Sequence, residues 1–173
     1  MNSLQHFSKV KAFAFDVDGV LTDGTVLLVD NDVQARRMNI KDGLALQMAI
    51  KNGYPVKIIS GAVSNEVHSR LKKLGLTDIE MGVKDKLSSI QKFLSEHNLS
   101  ADQLLFMGDD LPDLDVLKFV GLPCCPTDAV QEVIDASIYV SPKTGGMACV
   151  RDVIEKVMKL AGNWNWNTDI ASR

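Results

Sequence analysis

Short, nearly unbroken apolar runs alternate along this chain with longer segments whose apolar positions recur at helical spacing. Residues 11–15, with Val10 before them, read as a first strand that is apolar on both faces, as the centre of a parallel sheet requires. Segments 25–29 and 34–38 pair across Asp30-Asn31-Asp32 as a small β-hairpin. A helix is predicted over 42–52, where Leu44, Leu46, Met48, Ala49 and Ile50 follow an acidic start and Gly53 lies just beyond the end. Strands at 55–59 and 78–81 flank a helix at 64–74 that Gly75 stops. Leu87, Ile90, Phe93 and Leu94 set a helix over 86–97. Then come a strand at 102–107, a helix at 111–120, a strand at 121–125, a helix at 129–136 and a last strand at 138–140. The final helix, 148–160, carries the apolar stripe Val150, Val153, Ile154 and Val157. Such alternation, with no Pro/Gly-rich linker and no internal repeat, predicts one α/β domain over residues 1–173, doubly wound around a mostly parallel sheet. In such sheets ligands bind at the C-terminal ends of the strands.

Composition narrows the classes. At 173 residues with 46% hydrophobic residues, the chain is long enough for a substantial core and shows no signature of disorder. A net charge of -3 argues against binding to nucleic acid or a membrane surface, both of which call for a dense basic patch. No apolar run approaches the ~20 residues of a membrane-spanning helix, and the first residues lack the zones of a signal peptide, so a cytoplasmic protein is expected. Cys124, Cys125 and Cys149 fit neither a disulfide framework nor zinc spacing and read as buried reduced thiols. Trp164 and Trp166 near the C-terminus either pack back on the domain or meet another subunit, and residues 168–173 are expected to fray.

The candidate chemistry lies at the strand ends. Asp16-Val17-Asp18-Gly19-Val20 follows the first strand at once, Ser60-Gly61 ends the second, and Gly108-Asp109-Asp110 ends a later one, with Asp113 close behind. Acidic residues and glycine after one strand are ordinary turn chemistry, and Asp and Ser serve as helix caps. Several such ends converging on one crevice are different: clustered carboxylates repel, which implies a cation, and an all-oxygen set favours Mg²⁺ over zinc. His68 and His97 have no ligand-spaced partner and read as surface or packing residues.

These motifs, in this order and across essentially the whole chain, resemble the haloacid dehalogenase superfamily of phosphohydrolases. The resemblance implies that Asp16 is the nucleophile and Asp18 the general acid/base, and that Ser60, Gly61 and a lysine bind the transferring phosphoryl group. It further implies that Asp16, Asp18 and Asp109 hold the metal, supported by Asp110 and Asp113. Gly82-Val83-Lys84-Asp85-Lys86 offers two lysines; Lys86, which opens the predicted helix, is the preferred one, leaving Lys84 facing solvent. Members of the superfamily usually insert a cap domain after the first or second motif, and this chain has no room for one. Among capless members it is most similar to the 3-deoxy-D-manno-octulosonate 8-phosphate phosphatases, through Asp16 to Gly24, Lys41-Asp42-Gly43, Arg70 and Gly145-Gly146. That similarity implies a sugar-acid phosphate as substrate in lipopolysaccharide precursor synthesis, with Arg70 binding it. It also implies a homotetramer in which the hairpin makes subunit contacts and the Gly145-Gly146 stretch reaches a neighbour's active site. The chain departs from the subfamily at Lys143, Met147 and Ala148, and it carries Ala62 where the related nonulosonate 9-phosphate phosphatases tend to carry an acid. The alternatives are that nonulosonate activity, or a non-catalytic assembly module.

Overall fold

The computed structural model describes residues 3–29 and 33–165. A short helix α1 (Ser3–Phe7) precedes strand β1 (Ala12–Phe15); β2 (Leu27–Val29) and β3 (Val33–Ala35) form an antiparallel pair of their own. There follow α2 (Ile40–Lys51), β4 (Val56–Ser60), α3 (Asn65–Lys73), β5 (Asp78–Met81), α4 (Lys86–Glu96) and β6 (Leu104–Met107). The chain ends with α5 (Leu114–Phe119), β7 (Leu122–Cys125), α6 (Gln131–Ala136), β8 (Tyr139–Val140) and α7 (Cys149–Leu160). Asp30, Asn31 and Asp32 of the expected hairpin turn, Trp166 and residues 168–173 lie outside the described residues.

The main sheet has the order β5-β4-β1-β6-β7-β8, and every adjacent pair is parallel. Its centre follows from composition. Alternate residues of β1 serve the two faces: Phe13 and Phe15 pack with Leu46, Ile58, Val153 and Ile154, while Ala12 and Ala14 pack with Ile90, Phe93, Phe106 and Val116. Helices α1, α2, α3 and α7 therefore cover one face and α4, α5 and α6 the other. From β1 the chain runs outward through β4 to β5, then returns to place β6 on β1's other side. That reversal opens a crevice at the C-terminal ends of β1, β4 and β6, where such sheets bind ligands.

Helix starts obey capping chemistry: the side chains of Asn39, Ser64 and Asp85 accept backbone N–H groups of Lys41, Val67 and Ser88. The segment expected as one helix over 111–120 begins instead with a 3₁₀ turn, Leu111–Asp113, because Pro112 sits in it and Asp110 caps it. The hairpin is shorter than expected; a bridge between Thr22 and Met38 closes its base. Neither the interval between β1 and β4 nor that between β4 and α4 holds an inserted domain among the described residues. No described helix is long and apolar enough to cross a membrane. All three cysteines are free and buried. Trp164 packs against the core on the α7 side, with the Arg151 guanidinium over its ring at 5.4 Å.

Candidate active site

β1 delivers Asp16 to the crevice, and its N–H continues the sheet by donating to Met107 O at 3.0 Å. The chain then turns through residues 17–21, closed by Thr22 N–H donating to Val17 O, while the buried Thr22 hydroxyl oxygen accepts from Gly19 N–H and Gly24 N–H. Gly19 has φ +81, and a Cβ there would lie 1.9 Å from Asp109 Oδ2. The glycine lets the first-motif loop come flush against the acidic end of β6. Gly145 and Gly146 press on the same loop from below: a Cβ on Gly145 would meet Gly19 O at 2.0 Å, and Gly146 N–H donates to Val20 O at 2.9 Å. Both glycines are buried in their own chain, and the Lys143 and Met147 beside them are exposed.

β4 ends at Ser60, whose hydroxyl is buried and accepts from Ala62 N–H at 3.1 Å. Its carbonyl takes Val83 N–H at 3.0 Å, which ties the loop after β4 to the one that carries the two lysines. The geometry separates those lysines. Lys86 is buried, with Nζ 3.0 Å from Asp16 Oδ1 and 2.7 Å from Asp113 Oδ1, whereas Lys84 is exposed at the cleft's rim. Asp113 is fully buried and spends its other oxygen, Oδ2, accepting from Asp109 N–H at 3.0 Å and Asp110 N–H at 3.4 Å. Both oxygens of Asp113 are thus committed, so it orients Lys86 and the Asp109 loop. Asp110 is exposed and caps the turn that follows, accepting from Leu111 N–H at 2.8 Å.

Ligand oxygens of Asp16, Asp109 and Asp113 lie within 4.8 Å of one another. Burial, then the Asp113 charge, pushes Asp16 up to about 7 against the opposing pull of Lys86. Burial, followed by the charges of Asp16, Asp113 and Asp110, likewise pushes Asp109 up to about 7. For Lys86 burial works against the ammonium, yet Asp16 and Asp113 together raise its pKa, so it stays charged. One buried cation among these carboxylates leaves excess negative charge that a divalent cation would neutralise.

A cleft of about 300 Å³ gathers Asp16, Asp18, Ser60, Gly61, Lys86, Asp109, Asp110 and Asp113 on one surface. Arg70 is not among them. It lines an adjoining cavity of about 270 Å³ with Gln34, Arg36, Met38, Ser64 and Val67, and its guanidinium lies against Gly43 of α2. Arg36 joins the two spaces, because its Nε donates to Asp18 Oδ1 at 2.6 Å. Nothing in the local pattern singled out Arg36 over Arg37; only the hairpin's fold over the first-motif loop does so.

A haloacid dehalogenase-like hydrolase model matches residues 77–150. The 3-deoxy-D-manno-octulosonate 8-phosphate phosphatase of Escherichia coli K12 is 30% identical over 153 residues, 88% of this chain and 81% of that protein. The chain belongs to that family of haloacid dehalogenase-like hydrolases. Among solved structures of similar phosphatases, a probable YrbI family phosphatase from Pseudomonas syringae superposes with a TM-score of 0.90 at 34% identity, covering 94% of this chain and 92% of that one. The Moraxella catarrhalis 3-deoxy-D-manno-octulosonate 8-phosphate phosphatase, solved with magnesium, phosphate and the KDO molecule, has a TM-score of 0.90 at 31% identity over 94% of this chain and 93% of its own. Family membership makes this protein a phosphatase.

Proposed function

We propose that this protein hydrolyses 3-deoxy-D-manno-octulosonate 8-phosphate in a Mg²⁺-dependent reaction that passes through an aspartyl-phosphate on Asp16. The observation that carries the reading is the Asp16-Lys86-Asp113 chain beside Asp109 and Ser60 in one cleft. In the first half-reaction an Asp16 oxygen attacks phosphorus in line, the bond to the sugar oxygen breaks, and Asp18 gives that oxygen a proton. In the second, water attacks the aspartyl-phosphate, its proton returns to Asp18, and Asp16 leaves as a free carboxylate with inorganic phosphate. Lys86 holds Asp16 and the phosphoryl oxygens, with Ser60 and Gly61 completing the cradle. Asp16, Asp109 and the main-chain carbonyl of Asp18 would hold Mg²⁺, an all-oxygen set whose buried Asp16 and half-buried Asp109 already lack enough positive charge. When bound, the ion offsets repulsion between the carboxylate nucleophile and the dianionic phosphoryl group.

The same reading covers residues 1–173 as one cytoplasmic catalytic domain that works as a homotetramer, with active sites completed at subunit interfaces and Arg70 binding the sugar acid. A guanidinium suits bidentate capture of a carboxylate, and the cavity holding Arg70 abuts the phosphate cleft. Ala62 beside Ser60 favours the eight-carbon acid over a nonulosonate 9-phosphate. A pure assembly module has no use for a buried cluster of like charges, which is costly to keep. The test is phosphate release from the two sugar-acid phosphates. A higher kcat/KM on the 8-phosphate, with Asp16→Asn abolishing turnover but not folding, is expected; full activity in that variant would reject the mechanism.

A further inference from the structure

Asp18 is half-exposed, and a carboxylate in that position has several staggered orientations open to it. An acid/base that must first reach the leaving oxygen and then the attacking water gains from being held in one of them. Among the described residues its side chain has one partner, Arg36, whose Nε–H donates to Oδ1 at 2.6 Å. The Arg36 side chain is only 7% exposed, and its Nη1 donates back to Gln34 O at 3.3 Å, so the guanidinium is itself held at both ends. Its anchor is the hairpin, which the Thr22–Met38 bridge fastens to the first-motif loop. The charge-assisted bond occupies Oδ1, and no described residue engages Oδ2.

We propose that Arg36 is a positioning residue for the general acid/base: it fixes the Asp18 carboxylate through Oδ1 so that Oδ2 serves the proton transfers. The inference rests on the phosphatase reading above and adds to it a group that never touches the reacting atoms. Arg36 transfers no proton in this proposal; it acts by orientation, and misorientation of a catalytic group is expensive.

The test exploits the leaving group. A sugar alcohol needs Asp18's proton on departure, while 4-nitrophenolate departs without one. The value of kcat/KM reports the phosphoryl transfer to Asp16 in both cases. With Arg36→Gln, kcat/KM for the sugar-acid phosphate is expected to fall about 10- to 100-fold, a share of the usual general-acid contribution. The loss on 4-nitrophenyl phosphate is expected to be at least about tenfold smaller. Arg36→Lys, which keeps the charge but not the planar fork, should recover part of the loss. In an Asp18→Asn background Arg36→Gln should add nothing, as for residues acting as one unit. Equal losses on both esters, or an undiminished loss in the Asp18→Asn background, would overturn the positioning role and mark Arg36 as a structural or substrate-binding group. Wild-type protein that turns over neither ester with Mg²⁺ would overturn the phosphatase reading itself, and the Arg36 role with it.

Discussion

Asp16 and Asp109 sit in surroundings that favour their protonated forms, both raised to about 7. A carboxyl whose folded pKa exceeds its unfolded value binds more protons in the folded state, so its contribution to stability is full below the unfolded value. That contribution is lost as pH rises from there through about 7. Metal-free protein should therefore lose stability over that window, and a bound divalent cation should restore it by displacing the protons. Mg²⁺ affinity is expected to rise by roughly tenfold per pH unit below about 7 for each proton displaced and to level off above. Thermal melts with and without Mg²⁺ between about pH 5 and about pH 8 would check this; a Mg²⁺-dependent shift that is flat across the range would count against these two carboxylates as ligands.

At the scale of elements, α7 shows how two distant segments cooperate. Asp42, in the first turn of α2, is almost fully buried and accepts Arg151 N–H at 2.7 Å, so a residue of one helix caps the start of another. Among the described residues its second oxygen has no hydrogen-bond partner, and burial pushes its pKa up to about 6. The residue just before α7, Ala148, is held at φ 74, a left-handed conformation that costs an L-residue with a Cβ about 1–2 kcal/mol. Ala148→Gly should relieve that strain and, after the added chain entropy of glycine, raise the melting temperature by roughly 2–4 °C. Calorimetry would decide; a lower melting temperature would show that the Ala148 methyl packs better than its backbone suffers.

For the whole molecule, the hairpin is the part least accounted for by one chain. Two strands alone are marginal in water, yet among the described residues β2 and β3 pair only with each other and leave Leu27 and Leu28 67% and 76% exposed. If the hairpin makes the subunit contacts of the proposed homotetramer, Leu28→Asp should shift the sedimenting mass toward smaller species; an unchanged mass would free the hairpin from that role. The contrast with the main sheet also explains what could be read from the residues. Buried parallel strands are apolar runs, and in this topology the acids that follow them must meet, so Asp16, Ser60, Asp109 and the sheet around them were legible. Arg36, Thr22 and Asp42 were not. Their partners lie across the fold, and a polar side chain's pairing leaves no trace in local periodicity. Nor did local pattern reveal Lys57, an ion inside a buried strand that Asp78 and Glu80 of β5 each meet at 2.8 Å.

The glycine pair under the first-motif loop has a consequence in the order of synthesis. Asp113 is the last of the residues proposed to perform the chemistry, so a ribosome that has passed it has made every one of them. The loop holding Asp16 and Asp18 still lacks its floor, which arrives with Gly145, Gly146 and Cys149, whose Sγ donates to Val20 O at 3.2 Å. A nascent chain halted between those points would own the full set of reacting groups, and the turn that presents them would have its internal Thr22 bonds but not the floor beneath it. The floor of the active-site turn is in that sense a late event of translation, supplied by a segment that does none of the chemistry.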